Sequence, residues 1–289
     1  MRGACRTRVR ILGAIGVLLT ASLGCDRAAP VAHAAPDPRE AVCGAMPCEL
    51  FDTPEQAFAR VLAERPRVLA IGETHAQTNA TAESATARFT DTLLPMTHAK
   101  DMVLELWVGN GSCAGPRRRA QQAVASAQRE VTATQSPKNQ GEFLALWGAA
   151  RRNGVRAHVL VPACDEYLAI TRAPDDVDAM LEMIARLSAD RAEALVDDHA
   201  TTEPVLIYGG AMHNDLAPRP GHERWSFGPR LDARTGGRYV ELDLIVPELI
   251  RDTEAWRAQP WYPHFDRAAQ RGKAVLFAPR PRSFALVFP

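Results

Sequence analysis

Two short apolar runs in this chain lead through glycine to a histidine at the same spacing. The first is Val68-Leu69-Ala70-Ile71 followed by Gly72-Glu73-Thr74-His75. The second is Val205-Leu206-Ile207-Tyr208-Gly209 followed by Gly210-Ala211-Met212-His213. A β-rich run closed by glycine reads as a buried strand leaving its sheet. In open α/β sheets, ligands bind just beyond the carboxyl ends of such strands. The repeated element therefore predicts a sheet whose mouth receives two imidazoles from distant parts of the sequence.

The intervening pattern fits that sheet. Thr53-Pro54-Glu55 is a helix start, with a capping threonine and proline in the first turn, and opens a helix over 53–65. A strand over 67–71, an amphipathic helix over 81–99 and a strand over 102–108 follow. Residues 109–140 are polar, too long for a simple connection, and read as a lid or binding loop. A helix over 142–153 closes at Gly154. Then come a strand over 155–161, a long helix over 176–199 and a strand over 205–208. Strands alternating with helices imply parallel pairing. Beyond this point the rhythm changes to strands over 239–246, 274–279 and 283–288, with helix only around 251–271. Arg280-Pro281-Arg282 makes the last two strands an antiparallel hairpin. The expected class is α/β: a central, mostly parallel sheet flanked by helices, with an antiparallel C-terminal extension.

The N-terminus carries an address rather than fold. Arg2, Arg6, Arg8 and Arg10 precede an apolar stretch over 11–23, too short for a stable membrane span. It ends in Ala21-Ser22-Leu23-Gly24-Cys25, which resembles a bacterial lipobox. Residues 1–24 are thus expected to be a lipoprotein signal peptide and Cys25 the lipidated residue. Residues 25–39 form an Ala/Pro-rich tether, and 40–289 a single domain. The expected location is the cell envelope, anchored by lipid to a bacterial membrane on its periplasmic or extracellular side. Formal net charge is zero and the one basic cluster is Arg117-Arg118-Arg119, so no nucleic-acid partner is expected. Of six cysteines, Cys5 leaves with the signal and Cys25 carries lipid. The other four predict two disulfides in an oxidising compartment, most simply Cys43–Cys48 and Cys113–Cys164.

Chemistry concentrates at the predicted strand ends. Glu73 and His75 follow the first strand, Glu105 interrupts the apolar run Val103-Leu104-Glu105-Leu106, and His213 follows the fourth strand. A buried carboxylate needs a compensating partner. Two imidazoles with one or two carboxylates make a ligand set for divalent Zn, Mn, Co or Fe, which could activate a water. The same residues could work without metal, with His75 as base on a water and Glu105 orienting its ring. Gly72 and Gly210 let the backbone turn and keep the pocket floor open, while Asn214 and Asp215 add donors and acceptors. His98, His158, His199 and His222 read as ordinary surface or core histidines. Trp256, Trp261, Tyr262, His264 and Phe265 read as core packing, and Arg280 and Arg282 as a solvated hairpin tip. Ser112 and Ser283 lack the Gly-x-Ser-x-Gly elbow of a serine hydrolase.

These signatures resemble the Tiki superfamily, which includes the Tiki peptidases, the TraB and GumN proteins, the ChaN-type haem-uptake lipoproteins and, more distantly, the erythromycin esterases. The resemblance covers residues 67–214 and rests on three motifs: strand-Gly-Glu-Thr-His, strand-Glu, and strand-Gly-x-x-His. It implies that Glu73, His75, Glu105 and His213 share one pocket. It further implies a metal-dependent hydrolase acting on a peptide or small molecule, or alternatively a haem- or iron-binding envelope lipoprotein. The ChaN-like run of further His and Asp is replaced here by Ala76-Gln77-Thr78-Asn79, which departs from the haem-binding pattern.

Overall fold

Runs that are apolar on both faces form the middle of an eight-stranded mixed sheet in the computed structural model, which describes residues 43–75, 81–107, 139–172, 177–198 and 203–289. These residues belong to a unit spanning Pro36–Pro289. The expected signal peptide, the tether and Cys25 lie outside the described residues. The strands are β1 (Cys48–Phe51), β2 (Val68–Glu73), β3 (Asp101–Trp107), β4 (Arg156–Leu160), β5 (Val205–Gly210), β6 (Tyr239–Ile245), β7 (Ala274–Arg280) and β8 (Ser283–Val287). Their spatial order is β1-β7-β8-β6-β2-β5-β3-β4. The six strands from β8 to β4 pair in parallel, whereas β7 is antiparallel to both β8 and β1. This is the α/β class expected, with its antiparallel C-terminal hairpin.

Strand β2 lies at the centre, and every one of its residues is buried. Strand periodicity sends Leu69 and Ile71 to one face and Val68 and Ala70 to the other. On the first face sit α1 (Pro54–Leu62), α2 (Ala85–Arg88) and α3 (Asn139–Arg152). They bring Phe58, Val61, Ala85, Phe143 and Leu146 onto Leu69, Ile71, Leu104 and Tyr208. The Thr53 hydroxyl caps α1 by accepting from Gln56 N–H, as its sequence foretells. After α2 the chain widens into a π-helical turn at Phe89–Leu93 and then tightens into a 3-10 turn at Leu94–Met96. Gly154, at φ +77°, ends α3 in the left-handed conformation that glycine adopts without strain.

The second face carries α4 (Cys164–Arg172), α5 (Val177–Asp198) and α6 (Gly228–Arg234). Ile170, Met183, Ile184, Ala192 and Leu231 pack there on Val68, Ala70, Val103 and Ile207. A third cluster lies over the C-terminal hairpin, where Trp261 stacks on Phe277 beside Val275, Val287 and Cys43. The aromatic patch is therefore core, as expected. Its backbone is not one long helix: the stretch 251–271 yields only α7 (Glu254–Arg257) and a 3-10 turn at Tyr262–His264, because Pro260 and Pro263 interrupt it. Among the described residues no helix is long and apolar enough to cross a membrane.

His158, read as an ordinary surface or core histidine, is not a loose side chain: its Nε2–H donates to Asp101 Oδ1 at 2.5 Å, while Arg191 donates to its Nδ1 at 2.6 Å. Arg156 adds a bond to Asp101 Oδ2 at 2.7 Å. Burial works against ionisation of Asp101, but the Arg156 and His158 hydrogen bonds outweigh it and hold its pKa below 3.8. Arg282 is likewise not a solvated tip. At φ +65° in the β7–β8 turn, its guanidinium reaches the Asp232 carboxylate and the Gly237 carbonyl, fastening the hairpin to the end of α6. Cys43 and Cys48 form the expected disulfide just before β1. Cys164 is disulfide-bonded as well, and its expected partner Cys113 lies outside the described residues.

Candidate functional site

The first glycine after each apolar run does not end its strand, as the sequence suggests: Gly72 and Gly209 lie within β2 and β5, and β5 ends at Gly210. Gly72 remains in register, opposite Gly209 on one side and Asp243 on the other. Since Leu104 pairs with Tyr208, Glu105 comes level with Gly209. At the carboxyl edge of the sheet, four neighbouring strands thus present a row: Asp243 (β6), Gly72 (β2), Gly209 (β5) and Glu105 (β3). The two glycines make a notch flanked by two carboxylates. A Cβ at Gly209 would overlap the Glu105 carboxylate, whose Oε2 accepts from Gly210 N–H at 2.6 Å. A Cβ at Gly72 would lie 2.7 Å from Ala211 Cα, 2.7 Å from Asn214 Nδ2 and 2.6 Å from Asp243 Oδ1.

The four residues singled out in the sequence converge over the end of β5, although they start on different faces. Glu73 follows Leu69 and Ile71 on the first face, and its side chain is almost fully buried. Its Oε1 binds His75 Nδ1, so Glu73, rather than Glu105, orients this ring. Glu73 Oε2 has no hydrogen-bond partner among the described residues. Phe143 of α3 meets His75 edge-on with centroids 5.9 Å apart. The other edge of the ring turns toward Gly210: a Cβ built there would lie 3.6 Å from His75 Nε2 and 3.6 Å from Glu105 Oε2. Burial opposes a charge on His75. The Glu73 carboxylate, by charge and hydrogen bond, and the charge of Glu105 outweigh it, raising the His75 pKa from 6.5 to about 9. At neutral pH His75 is an imidazolium held between two carboxylates.

His213 approaches from the opposite side on a loop fixed at several points. His213 N–H donates to Gly210 O at 3.1 Å, and Ser226 Oγ and Phe227 N–H both donate to His213 O. Its ring Nδ1 lies 2.7 Å from Trp225 O. A carbonyl can only accept, so Nδ1 carries the proton and, in the neutral ring, Nε2 presents a lone pair. That Nε2 lies 3.8 Å from Glu105 Oε1. The two rings therefore differ in role: His75 is a cationic donor, and His213, in its neutral form, presents Nε2 as an acceptor.

A divalent ion would need several of these donors to converge on one point. Among the described residues, no group of three or more His, Cys, Asp and Glu side chains is arranged to hold one. Two ligands on a tetrahedral ion with bonds near 2.05 Å sit about 3.3 Å apart, closer than His213 Nε2 and Glu105 Oε1 at 3.8 Å. One oxygen of Glu73 is already taken by His75 and one of Glu105 by Gly210 N–H.

Sequence reasoning missed a second acidic group beside the first. Glu241 and Asp243 alternate along β6 with Val240, Leu242 and Leu244, and both are buried. Together with Asp215 they line a cavity of about 20 Å³ next to Trp261, Arg280 and Ser283. Burial raises the Asp215 pKa to about 6, against the lowering effect of Arg219 and Arg280. Burial likewise lifts Glu241 to about 7, opposed by its bond from Leu216 N–H. Asp243 is pushed well above its ordinary value by burial and by the charges of Glu241 and Asp215. The signal was available: two acids at period two in a run of Tyr, Val, Leu and Ile pose the same compensation problem as Glu105.

No protein-family model and no curated protein sequence matches the chain. Among solved structures it is similar to the type III effector HopBA1, at 10% identity and a TM-score of 0.39, over 85% of this chain and 98% of that one.

Proposed function

We propose that this chain is an exported lipoprotein whose pocket of Glu73, His75, Glu105 and His213 hydrolyses an ester or amide bond in a peptide or small molecule. The observation that supports the reading is the pair of histidine rings at one strand end, His75 held as a donor by Glu73 and His213 fixed with Nδ1 toward Trp225 O so that its neutral ring offers Nε2 as an acceptor. Pairs of titratable groups with opposed environments assign themselves as acid and base. In this mechanism His213 Nε2 removes a proton from water as the water oxygen adds to the substrate carbonyl carbon. Glu105 lies beside the ring and stabilises the imidazolium that forms. The His75 imidazolium stabilises the developing oxyanion, then gives its proton to the leaving oxygen or nitrogen as that bond breaks. Glu73 holds the His75 ring and favours its protonated form. The disulfide Cys43–Cys48 agrees with export to an oxidising compartment.

The test uses the purified full-length chain with p-nitrophenyl esters and a quenched fluorogenic peptide library, in EDTA and then with added Zn, Mn or Co. The expected result is turnover that persists in EDTA and falls about 100-fold in both His213→Ala and His75→Ala. Turnover that appears only with added metal would overturn the metal-free mechanism in favour of a metallohydrolase. Absence of turnover on every substrate, with a Soret band on haem titration that His213→Ala removes, would overturn hydrolysis in favour of haem capture. Absence of both responses would refute the proposed activity outright.

A further inference from the structure

We propose that Asn214 and Asp243 are positioning residues that set the His213 imidazole against Glu105; the catalytic consequence rests on the hydrolytic reading above. The loop bearing His213 enters the two-glycine notch, and two consecutive residues of that loop reach the two flanking carboxylates. His213 turns toward Glu105, with Nε2 3.8 Å from Oε1. Asn214 turns the other way and donates from Nδ2 to Asp243 Oδ1 at 3.0 Å. Asn214 is 1% exposed, and its backbone carbonyl accepts from the Tyr239 hydroxyl at 2.6 Å. Two residues on, Leu216 N–H donates to Glu241 Oε2 at 2.6 Å. Thus β6 grips the loop three times, at Tyr239, Glu241 and Asp243, through alternate residues on one strand face.

The grip bears on the chemistry because the loop crosses Gly72 with no slack. Asn214 Nδ2 and Ala211 Cα each lie 2.7 Å from where a Cβ on Gly72 would be. Any drift of Asn214 away from Asp243 therefore swings the preceding residue, His213, relative to β5 and Glu105. Hydrogen bonds to the backbone of a buried loop are a common means of fixing a reacting side chain to within the half-ångström that acid–base transfer needs. The Asp243 carboxyl is held toward its neutral form by burial and neighbouring acids, so Asn is a near-isosteric replacement that keeps the acceptor oxygen.

The decisive variants are Asn214→Ala and Asp243→Ala, with Asp243→Asn as the conservative partner, all in the full-length chain. Folding is checked by circular dichroism. Two readouts are taken: kcat and KM on the p-nitrophenyl ester, and the nitrogen-15 signature of the His213 tautomer by long-range NMR. Asn214→Ala and Asp243→Ala are expected to lower kcat by about 100-fold with KM changed less than about twofold, and to replace the single Nδ1–H tautomer by an averaged signal. Asp243→Asn is expected to restore kcat to within about threefold of the parent and to restore the tautomer. Folded Asn214→Ala protein with parental kcat and an unchanged His213 signal would overturn the proposal. If the parent hydrolyses nothing, the hydrolytic reading fails, and the NMR signature alone decides whether the pair positions His213. Should Asp243→Ala not fold, Asn214→Ala, which leaves β6 intact, carries the test.

Discussion

Gly72→Ala is expected to lower folding stability by about 3 kcal/mol and to remove whatever activity depends on His213. The added methyl group would meet Asp243 Oδ1 at 2.6 Å, Ala211 Cα at 2.7 Å and Asn214 Nδ2 at 2.7 Å. One of these is backbone, and the other two belong to a hydrogen-bonded pair buried at the sheet edge, so none can yield cheaply. Nor can β2 move away, since it pairs in parallel with both β5 and β6. The loop must therefore lift, which breaks Asn214–Asp243 and carries His213 with it. Urea denaturation of parent and variant measures the stability change. Gly141→Ala is the matched control: a Cβ there meets nothing within 4 Å, and the residue occupies an exposed position of helix α3. That substitution should stabilise by up to about 1 kcal/mol. If Gly72→Ala proved as harmless as Gly141→Ala, the tight crossing of the loop over β2 would be wrong.

The central strands were legible because their residues leave little choice. Val68-Leu69-Ala70-Ile71 and Val205-Leu206-Ile207-Tyr208 are too short for helices and apolar on both faces, which only the interior of a parallel sheet accommodates. Both histidines were legible for the same reason, since each follows such a run. What the sequence hid is where those runs stop. Glycine looks like an ending, yet Gly72 and Gly209 sit inside paired strands because the adjacent side chains need the room. Short elements were also hidden: β1, α4 and α6 span four, nine and seven residues, too few to show a clear period. Strand β1 exists through its pairing with β7, and α6 through Leu231 packed on the second face. The partner of His75 was not legible: on paper Glu105 orients the ring, whereas the fold brings Glu73, two residues before His75, onto Nδ1.

The geometry also explains why the site needs both faces of one sheet. Glu73 arrives with the residues packed under α1, α2 and α3, whereas Glu105 shares the parity of Val103, which packs under α5. Inside the sheet these two acids would be separated by the backbone. They come together only past Gly209-Gly210, where β5 ends without side chains and its amide at Gly210 faces Glu105. A substrate carbonyl approaching that edge would meet a donor from one face and a base from the other, with no side chain of β5 in the way.

Stability should fall as pH rises from 5 to 9, by about 3 kcal/mol from His75 alone. His75 titrates near 6.5 when exposed and near 9 in the fold. The stabilisation that its charged form draws from Glu73 is therefore complete below about pH 6.5 and lost as pH rises through about 9. Asp215 and Glu241 push in the same direction at lower pH, because burial raises them from 3.8 and 4.5 to about 6 and about 7. Each is held in the fold with a proton that the unfolded chain releases earlier, so each costs stability as pH climbs through its folded value. Asp101 works oppositely, but its pKa is lowered from 3.8, so its contribution is lost only in acid below this range. The two limbs can be separated by urea denaturation at stepped pH. Glu241→Gln should flatten the decline between pH 5 and 7, and Glu73→Gln the decline between pH 7 and 9, each leaving the other limb in place. A parent protein whose stability holds level or rises between pH 5 and 9 would mean that neither His75 nor the β6 acids carry the protons assigned to them.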